Sequence, residues 1–170
     1  RRADGITSYL SNPEEVKSFV AGNTAVSLAL MGKKVIIIGM DIRKPGLNKV
    51  FHLSRRADGI TSYLSNPEEV NLFDMIKQSD VTPNLDILPG GPIPPNPTEL
   101  VSGNVLPQAI AMLKDKYDYI IIDCPPALGL MTLNVLTAAD SVIIPIQAEF
   151  YALEGLSQLV KTIHAVTKNL

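Results

Sequence analysis

From residue 17 to residue 31 the side chains Phe19, Val20, Thr24, Leu28 and Met31 recur near the 3.6-residue spacing of a helix, and Gly32 follows as a stop. The period then changes. VIII (35–38) is a short β-branched apolar run of the kind that a parallel strand buried on both faces requires. LDIL (85–88), YIIID (119–123) and SVIIPI (141–146) repeat that signature. Between these runs the pattern predicts helices over 69–78, with Leu72, Phe73 and Ile76 on one face, and over 98–115, 128–138 and 153–168. PGGPIPPNP (89–97) reads as a rigid loop, with Thr98 and Glu99 opening the next helix. Strands alternating with helices predict an α/β fold, a parallel sheet with flanking helices and right-handed crossovers. Ligands of such sheets gather at the carboxyl ends of the strands. Asp41 and Asp123 follow strands there, and the helix over 17–31 opens on the same edge.

One stretch breaks this order. RRADGITSYLSNPEEV, residues 1–16, recurs without a change at 55–70. Two copies are too few for a solenoid, whose repeats need about three units to bury a core. Around 55–70 the segment continues smoothly from FHLS into NLFDMIKQSD, whereas around 1–16 it begins abruptly and ends against Lys17. The N-terminal copy reads as the intruder, replacing whatever preceded Lys17. The expected organisation is therefore a duplicated segment, 1–16, joined to a single domain, 17–170. In 1–16 the alternation of Ile6, Ser8 and Leu10 with Thr7 and Tyr9 allows a strand, while the same letters at 60–64 fit a helical turn.

Composition narrows the field further. The chain has 170 residues, 46% hydrophobic and 19% charged, with a net charge of −2, an ordinary globular profile with no basic excess to suggest nucleic acid. A single cysteine, Cys124, excludes an internal disulfide and fits a reducing compartment. No apolar run approaches the roughly 18 residues of a membrane span, and the N-terminus lacks the apolar core of a signal peptide. The expected location is the cytoplasm.

A phosphate loop needs inward-pointing backbone N–H groups, a lysine, and a hydroxyl for Mg²⁺. Lys17 and Ser18 supply the last two at a helix start, but Ser11 and Val16 occupy the glycine positions of G-x-x-x-x-G-K-[ST]. Alone, a Lys-Ser pair at a helix start is usually just a solvated lysine beside a capping serine. Asp123 ends the apolar strand YIIID, as a carboxylate that holds Mg²⁺ through water does. Asp41 follows VIII in GMDIRKP. Two such carboxylates together with Lys-Ser, in this order, favour a nucleotide site. Cys124 reads as a small buried hydrophobe. His52 and His164 have no metal-ligand spacing, and no nucleophile elbow is present for Ser-His-Asp chemistry.

These residues carry a resemblance. KSFVAGNTAVSLALMGKKV, IIIGMDIRKPGL and LDILPGGPIPPNPTELV make the stretch from Lys17 to about Asp118 resemble a bacterial tyrosine autokinase of capsule and exopolysaccharide export. From about 118 onward, YDYIIIDCPPALGLMTLNVLTAADSVIIPIQAEFYALEGLSQLVKTI resembles a ParA/Soj-type chromosome-partitioning ATPase. Both belong to the MinD/ParA branch of P-loop proteins, and the join falls on a strand that the two share. The resemblance implies a P-loop NTPase fold, incomplete at the C-terminus, with ATP and Mg²⁺ as cofactors.

By the same resemblance Lys17 binds the β- and γ-phosphates, Ser18 and Asp123 hold Mg²⁺, and Val16 lends its backbone to the phosphate loop. Asp41 matches the second acid of the kinase D-x-D motif and so serves catalysis and metal binding, with Gly39 at the first position. The kinase loop pattern S-x-x-P-G-E-G-K-[ST] is met at Pro13, Glu15, Lys17 and Ser18, while Glu14 and Val16 stand for glycines. Forced to φ > 0, Val16 would cost about 1–2 kcal/mol. Glu14 would repel a phosphate by about 3 kcal/mol at ~6 Å.

The leading expectation is a Mg²⁺-dependent kinase domain that transfers phosphoryl to tyrosine. Its implied partners are a second copy of itself and a membrane-anchored polysaccharide co-polymerase that would hold it at the inner face of the membrane. One alternative is a ParA-type ATPase switch that dimerises and binds DNA. The other is a nucleotide-free structural remnant or interaction module.

Overall fold

The computed structural model describes residues 13–54, 57–94, 104–125, 129–145, 157 and 159–165. Its central strand is β1, Val35–Gly39, buried along its whole length. β1 pairs in parallel with β3 (Leu85–Leu88) on one side and with β4 (Tyr119–Asp123) on the other. Ile37 stands opposite Ile87 and Ile121. A two-residue strand, β2 (Lys77–Gln78), adds antiparallel to β3, so the order is β2-β3-β1-β4. The parallel sheet read from the sequence thus carries one short antiparallel edge. The strand runs VIII, LDIL and YIIID all form where their composition predicts.

Alternation along β1 and β3 divides the core in two. Ile36, Ile38 and Leu88 enter one cluster with Leu106, Ala109, Ile110 and Leu113 of α4 (Val105–Lys114). α3 (Ile60–Ser65) also feeds that cluster, through Ile60, Tyr63 and Leu64. Val35, Ile37, Leu85 and Ile87 enter the other cluster with Ala25 and Ala29 of the long helix α1, Pro13–Leu30. β1 therefore loses water from both faces, as the central strand of a parallel sheet must.

The buried face of α1 differs from the expected one. Phe19 and Met31 are 42% and 74% exposed, whereas Ser18, Gly22, Ala25 and Ala29 face inward. Small residues let the helix lie close to its neighbours: a Cβ on Gly22 would stand 3.0 Å from Val50 in α2 (Gly46–Val50). The stop at Gly32 is as predicted. Gly32 has φ +81, its N–H reaches Ala29 O at 3.0 Å, and Lys33 N–H reaches Leu28 O at 3.2 Å. These are the two bonds of a Schellman cap.

Two other expectations fail. Residues 69–78 do not form one helix. Asn71 is extended and its side chain accepts from Phe73 N, so only a 3₁₀ turn, Leu72–Met75, forms before β2. Residues 141–145 form no strand, and Ile143 is 70% exposed. A strand needs a hydrogen-bonded neighbour, and this segment pairs with none of the four. α5 (Leu130–Ala138) and the helical residues 159–165 fall within predicted helices, while 98–103 and 1–12 lie outside the described residues. No helix among the described residues is long and apolar enough to cross a membrane.

Candidate functional site

β1 and β4 end side by side. Gly39 pairs with Asp123, and Met40 N–H extends the ladder to Asp123 O at 2.8 Å. This places Asp41, two residues beyond β1, beside the carboxylate that closes β4. Asp41 is held by its own turn, since Oδ1 accepts Lys44 N–H at 3.1 Å. α1 packs its N-terminal half over this edge and delivers two side chains to it. Lys17 Nζ donates to Asp41 Oδ2, forming an ion pair, and to Cys124 O at 2.8 Å. Ser18 Oγ donates to Asp123 Oδ2 at 2.5 Å. Ser18, Asp41 and Asp123 are all buried.

The structure therefore brings together Lys17, Ser18, Asp41 and Asp123 from three separated segments. Sequence reasoning missed the Cys124 carbonyl as an acceptor for Lys17. No side-chain signal could have revealed it, because the contact is made by backbone. The Cys124 thiol is pushed up to about 12, first by burial, then by the Asp123 charge, so it stays protonated and matches its reading as a packing residue. Burial also raises the Asp123 carboxyl above its ordinary value. The Ser18 hydrogen bond and the Lys17 charge oppose that rise, and the Asp41 charge adds to it.

Val16 departs from expectation. α1 begins at Pro13, so Glu14, Glu15 and Val16 are helical and the four described residues before Lys17 form no loop. Among the described residues His52 is the sole non-glycine with positive φ, so Val16 carries no left-handed strain. The reason is local. Without glycines the segment cannot take the φ > 0 turns of a phosphate nest, and the right-handed helix is its low-energy alternative. One consequence is geometric. The amides of Lys17 and Ser18 lie inside the helix, and the free N–H donors have moved about one turn, ~6 Å, toward the N-terminus. The side chains of residues 13–15 lie outside the described ones, so the expected Glu14 repulsion has no structural counterpart here.

The donor set suits Mg²⁺, a hard cation commonly held by one or two carboxylates with a hydroxyl, water and phosphate oxygens. Ser18, Asp41 and Asp123 supply such oxygens within one buried cluster. No group of three or more His, Cys, Asp or Glu that could hold a metal by itself occurs among the described residues. Gly39, at the first position of the acidic motif, is tightly packed: a Cβ there would sit 3.3 Å from Gly90 N. A hollow of about 430 Å³ opens at the opposite end of the sheet, lined by Lys34, Asn84, Asp86 and Tyr117 among others. It shares no residue with the cluster. Tyr117 donates there to Asp86 at 2.7 Å, and burial raises its phenol well above the ordinary value.

Comparison with known proteins points the same way. The family model described as AAA domain matches residues 16–170. The chromosome partitioning protein ParA of Myxococcus xanthus is 42% identical over 163 residues, covering 91% of this chain and 56% of that protein. The tyrosine-protein kinase YwqD of Bacillus subtilis is 36% identical over 137 residues, covering 80% of this chain and 56% of its own length. Among solved structures, the BceF tyrosine kinase domain superposes with a TM-score of 0.76 at 29% identity, over 91% of this chain and 61% of that one. The chain spans 56–62% of the length of the partitioning relatives it matches. Similarity to a partitioning protein thus runs along nearly the whole chain and is not confined to the part after residue 118. It exceeds the similarity to the kinase in both identity and reach.

Proposed function

The chain belongs to the AAA-domain P-loop ATPases of the MinD/ParA/tyrosine-autokinase superfamily, and from that premise we propose that it is the nucleotide-binding part of a ParA/Soj-type ATPase switch. The carrying observation is the buried convergence of Lys17, Ser18, Asp41 and Asp123 at the carboxyl edge of a parallel sheet. In this reading Lys17 binds the terminal phosphates of ATP. Ser18, Asp41 and Asp123 would hold Mg²⁺, which would supply charge neutralisation at the phosphates. In this reading Asp41 would also orient the attacking group. Binding requires the first turn of α1 to unwind, because the amides that would cradle a phosphate are engaged inside the helix. A second copy of the chain and DNA are the partners this reading implies, in the cytoplasm.

The test is Mg·ATP binding by isothermal titration calorimetry on the chain, on Val16→Gly and on Lys17→Ala. Val16→Gly should bind at least tenfold tighter than the parent, because glycine weakens the helical turn and admits φ > 0. Lys17→Ala should abolish binding. If none of the three binds, the nucleotide reading fails and the chain is a structural module.

The kinase relative supports a second reading, phosphoryl transfer to tyrosine; the partner that the sequence resemblance implies for it is a membrane-anchored polysaccharide co-polymerase. Incubation of Val16→Gly with Mg·ATP separates the two. Phosphotyrosine detected by mass spectrometry marks the kinase. ATP-dependent dimerisation with DNA retention and no phosphotyrosine marks the switch.

A further inference from the structure

The cluster at the sheet edge is closed on itself. Two of the three Lys17 ammonium protons are taken, by Asp41 Oδ2 and Cys124 O. The Ser18 hydroxyl proton is taken by Asp123. Asp41 is satisfied on both oxygens, by Lys17 and by Lys44 N–H. Lys17 and Asp41 are only 13% and 5% exposed, so salt and water screen their attraction weakly. Counting formal charges, the cluster holds one cation, Lys17, against two carboxylates, Asp41 and Asp123. A polyanion arriving without a metal meets a lysine already neutralised and a carboxylate in excess.

We propose that Asp41 is an internal stand-in for phosphate: it latches the Lys17 ammonium against the sheet, and an incoming phosphate oxygen must displace it. This inference rests on the nucleotide reading above, but its consequence for Asp41 is opposite in sign to that of a purely metal-binding or catalytic role. A residue that serves only the bound state lowers affinity when it is removed. A latch raises affinity when it is removed, provided no metal is present to recruit its carboxylate. The latch also explains how the closed helix persists. Lys17 lies four residues from the start of α1 and ties its first turns to β1 through Asp41 and to β4 through Cys124 O. Release of Lys17 and unwinding of residues 13–16 are then one event.

The variant Asp41→Asn removes the charge and keeps an oxygen for Lys44 N–H. Two measurements, both in EDTA, test the latch. The first is the acylation rate of Lys17 by an N-hydroxysuccinimide acetate ester, followed by peptide mass spectrometry with exposed Lys33 as internal standard. The second is titration with inorganic pyrophosphate. In the unsubstituted chain Lys17 should react at least tenfold more slowly than Lys33. In Asp41→Asn it should react at least fivefold faster than in the parent, and pyrophosphate should bind at least tenfold tighter.

Equal reactivity of Lys17 and Lys33 in the parent chain overturns the latch without recourse to any variant. So does a Lys17 rate unchanged by Asp41→Asn, or weaker pyrophosphate binding in that variant. A freed Lys17 with no pyrophosphate binding in either protein leaves Asp41 holding Lys17 but removes its role as a phosphate stand-in, so the proposal falls. The loss then extends to the nucleotide reading only if Mg·ATP also fails to bind Val16→Gly.

Discussion

The same four residues, Pro-Glu-Glu-Val, occur twice in this chain and end in different structures. At 13–16 they are the first turn of α1, an 18-residue helix. At 67–70 they form an exposed turn: Glu69 and Val70 both donate to Asn66 O, at 3.2 and 3.0 Å, and then the chain leaves helical geometry. The local tendency is shared, since both copies curl right-handed. What differs is the next residue. After Val16 comes Lys17, whose side chain reaches Asp41 and Cys124 O, and the helix runs on. After Val70 comes Asn71, which sits at φ −83, ψ 122 and caps the following 3₁₀ turn. Identical sequence is thus sorted by the residues that follow it and the partners that they find.

The largest expected effect comes from exchanging that residue. Lys17→Asn gives the first copy the continuation of the second and leaves the Asp41 carboxylate buried without its cation. Losing one partner of a buried pair costs about 3 kcal/mol or more. Urea denaturation should show that loss, and amide exchange at residues 16–18 should quicken. A stability change below about 1 kcal/mol would mean that the ion pair does not sort the copies. The reciprocal change, Asn71→Lys, should leave 67–70 a turn, since the carboxylate in its reach, Asp74, is exposed and lies in the following 3₁₀ turn, not at the sheet edge where Asp41 stands. It removes the side-chain cap on Phe73 N–H and should cost about 1 kcal/mol.

A smaller effect separates the two regions by pH. Asp123, beside α1, has its carboxyl raised by burial, so the folded chain holds that proton more tightly than the unfolded one. The resulting stability is fully present below the ordinary value of 3.8 and is lost as pH rises through the folded value. Asp123→Asn removes this dependence and leaves an oxygen for Ser18. Measured by Tm, the variant should gain most over the parent at neutral pH, and the gain should shrink toward about pH 4. A constant gap would show that burial does not set this carboxyl.

Much of this was legible in the sequence, for physical reasons that also mark where reading stopped. VIII and YIIID are β-branched runs and LDIL a short apolar one, each too short for a helix and suited to a strand in the sheet. SVIIPI is similarly apolar but forms no strand at 141–145, where it pairs with none of the described strands, and composition alone does not reveal whether such a partner is present. On α1 the large apolar residues drew attention, while close packing selected Gly22, Ala25 and Ala29. Lys17, Ser18, Asp41 and Asp123 were all found by type and spacing. Their mutual bonding was not, because the missing glycines read as strain on a loop when the chain instead relaxes into a helix.

The smallest expected effect concerns the proline that both copies share. In α1 Pro13 opens the helix, where its missing N–H is no loss and its fixed φ suits the first turn. In the second copy Pro67 follows α3, and Asn66 sits at φ −141, ψ 66, outside the helical region that a following proline disfavours. One residue type therefore starts one helix and stops another. Pro67→Ala restores an N–H that can bond to Tyr63 O and lifts the restriction on Asn66. On this exposed turn the stability change should stay within about 0.5 kcal/mol. The informative readout is local: Cα chemical shifts of Asn66 to Val70 should move toward helical values, with Asn71 unchanged. If they stay in place, 67–70 remains a turn between α3 and the Asn71-capped 3₁₀ turn without help from the proline. The difference between the copies would then rest entirely on the residue after valine.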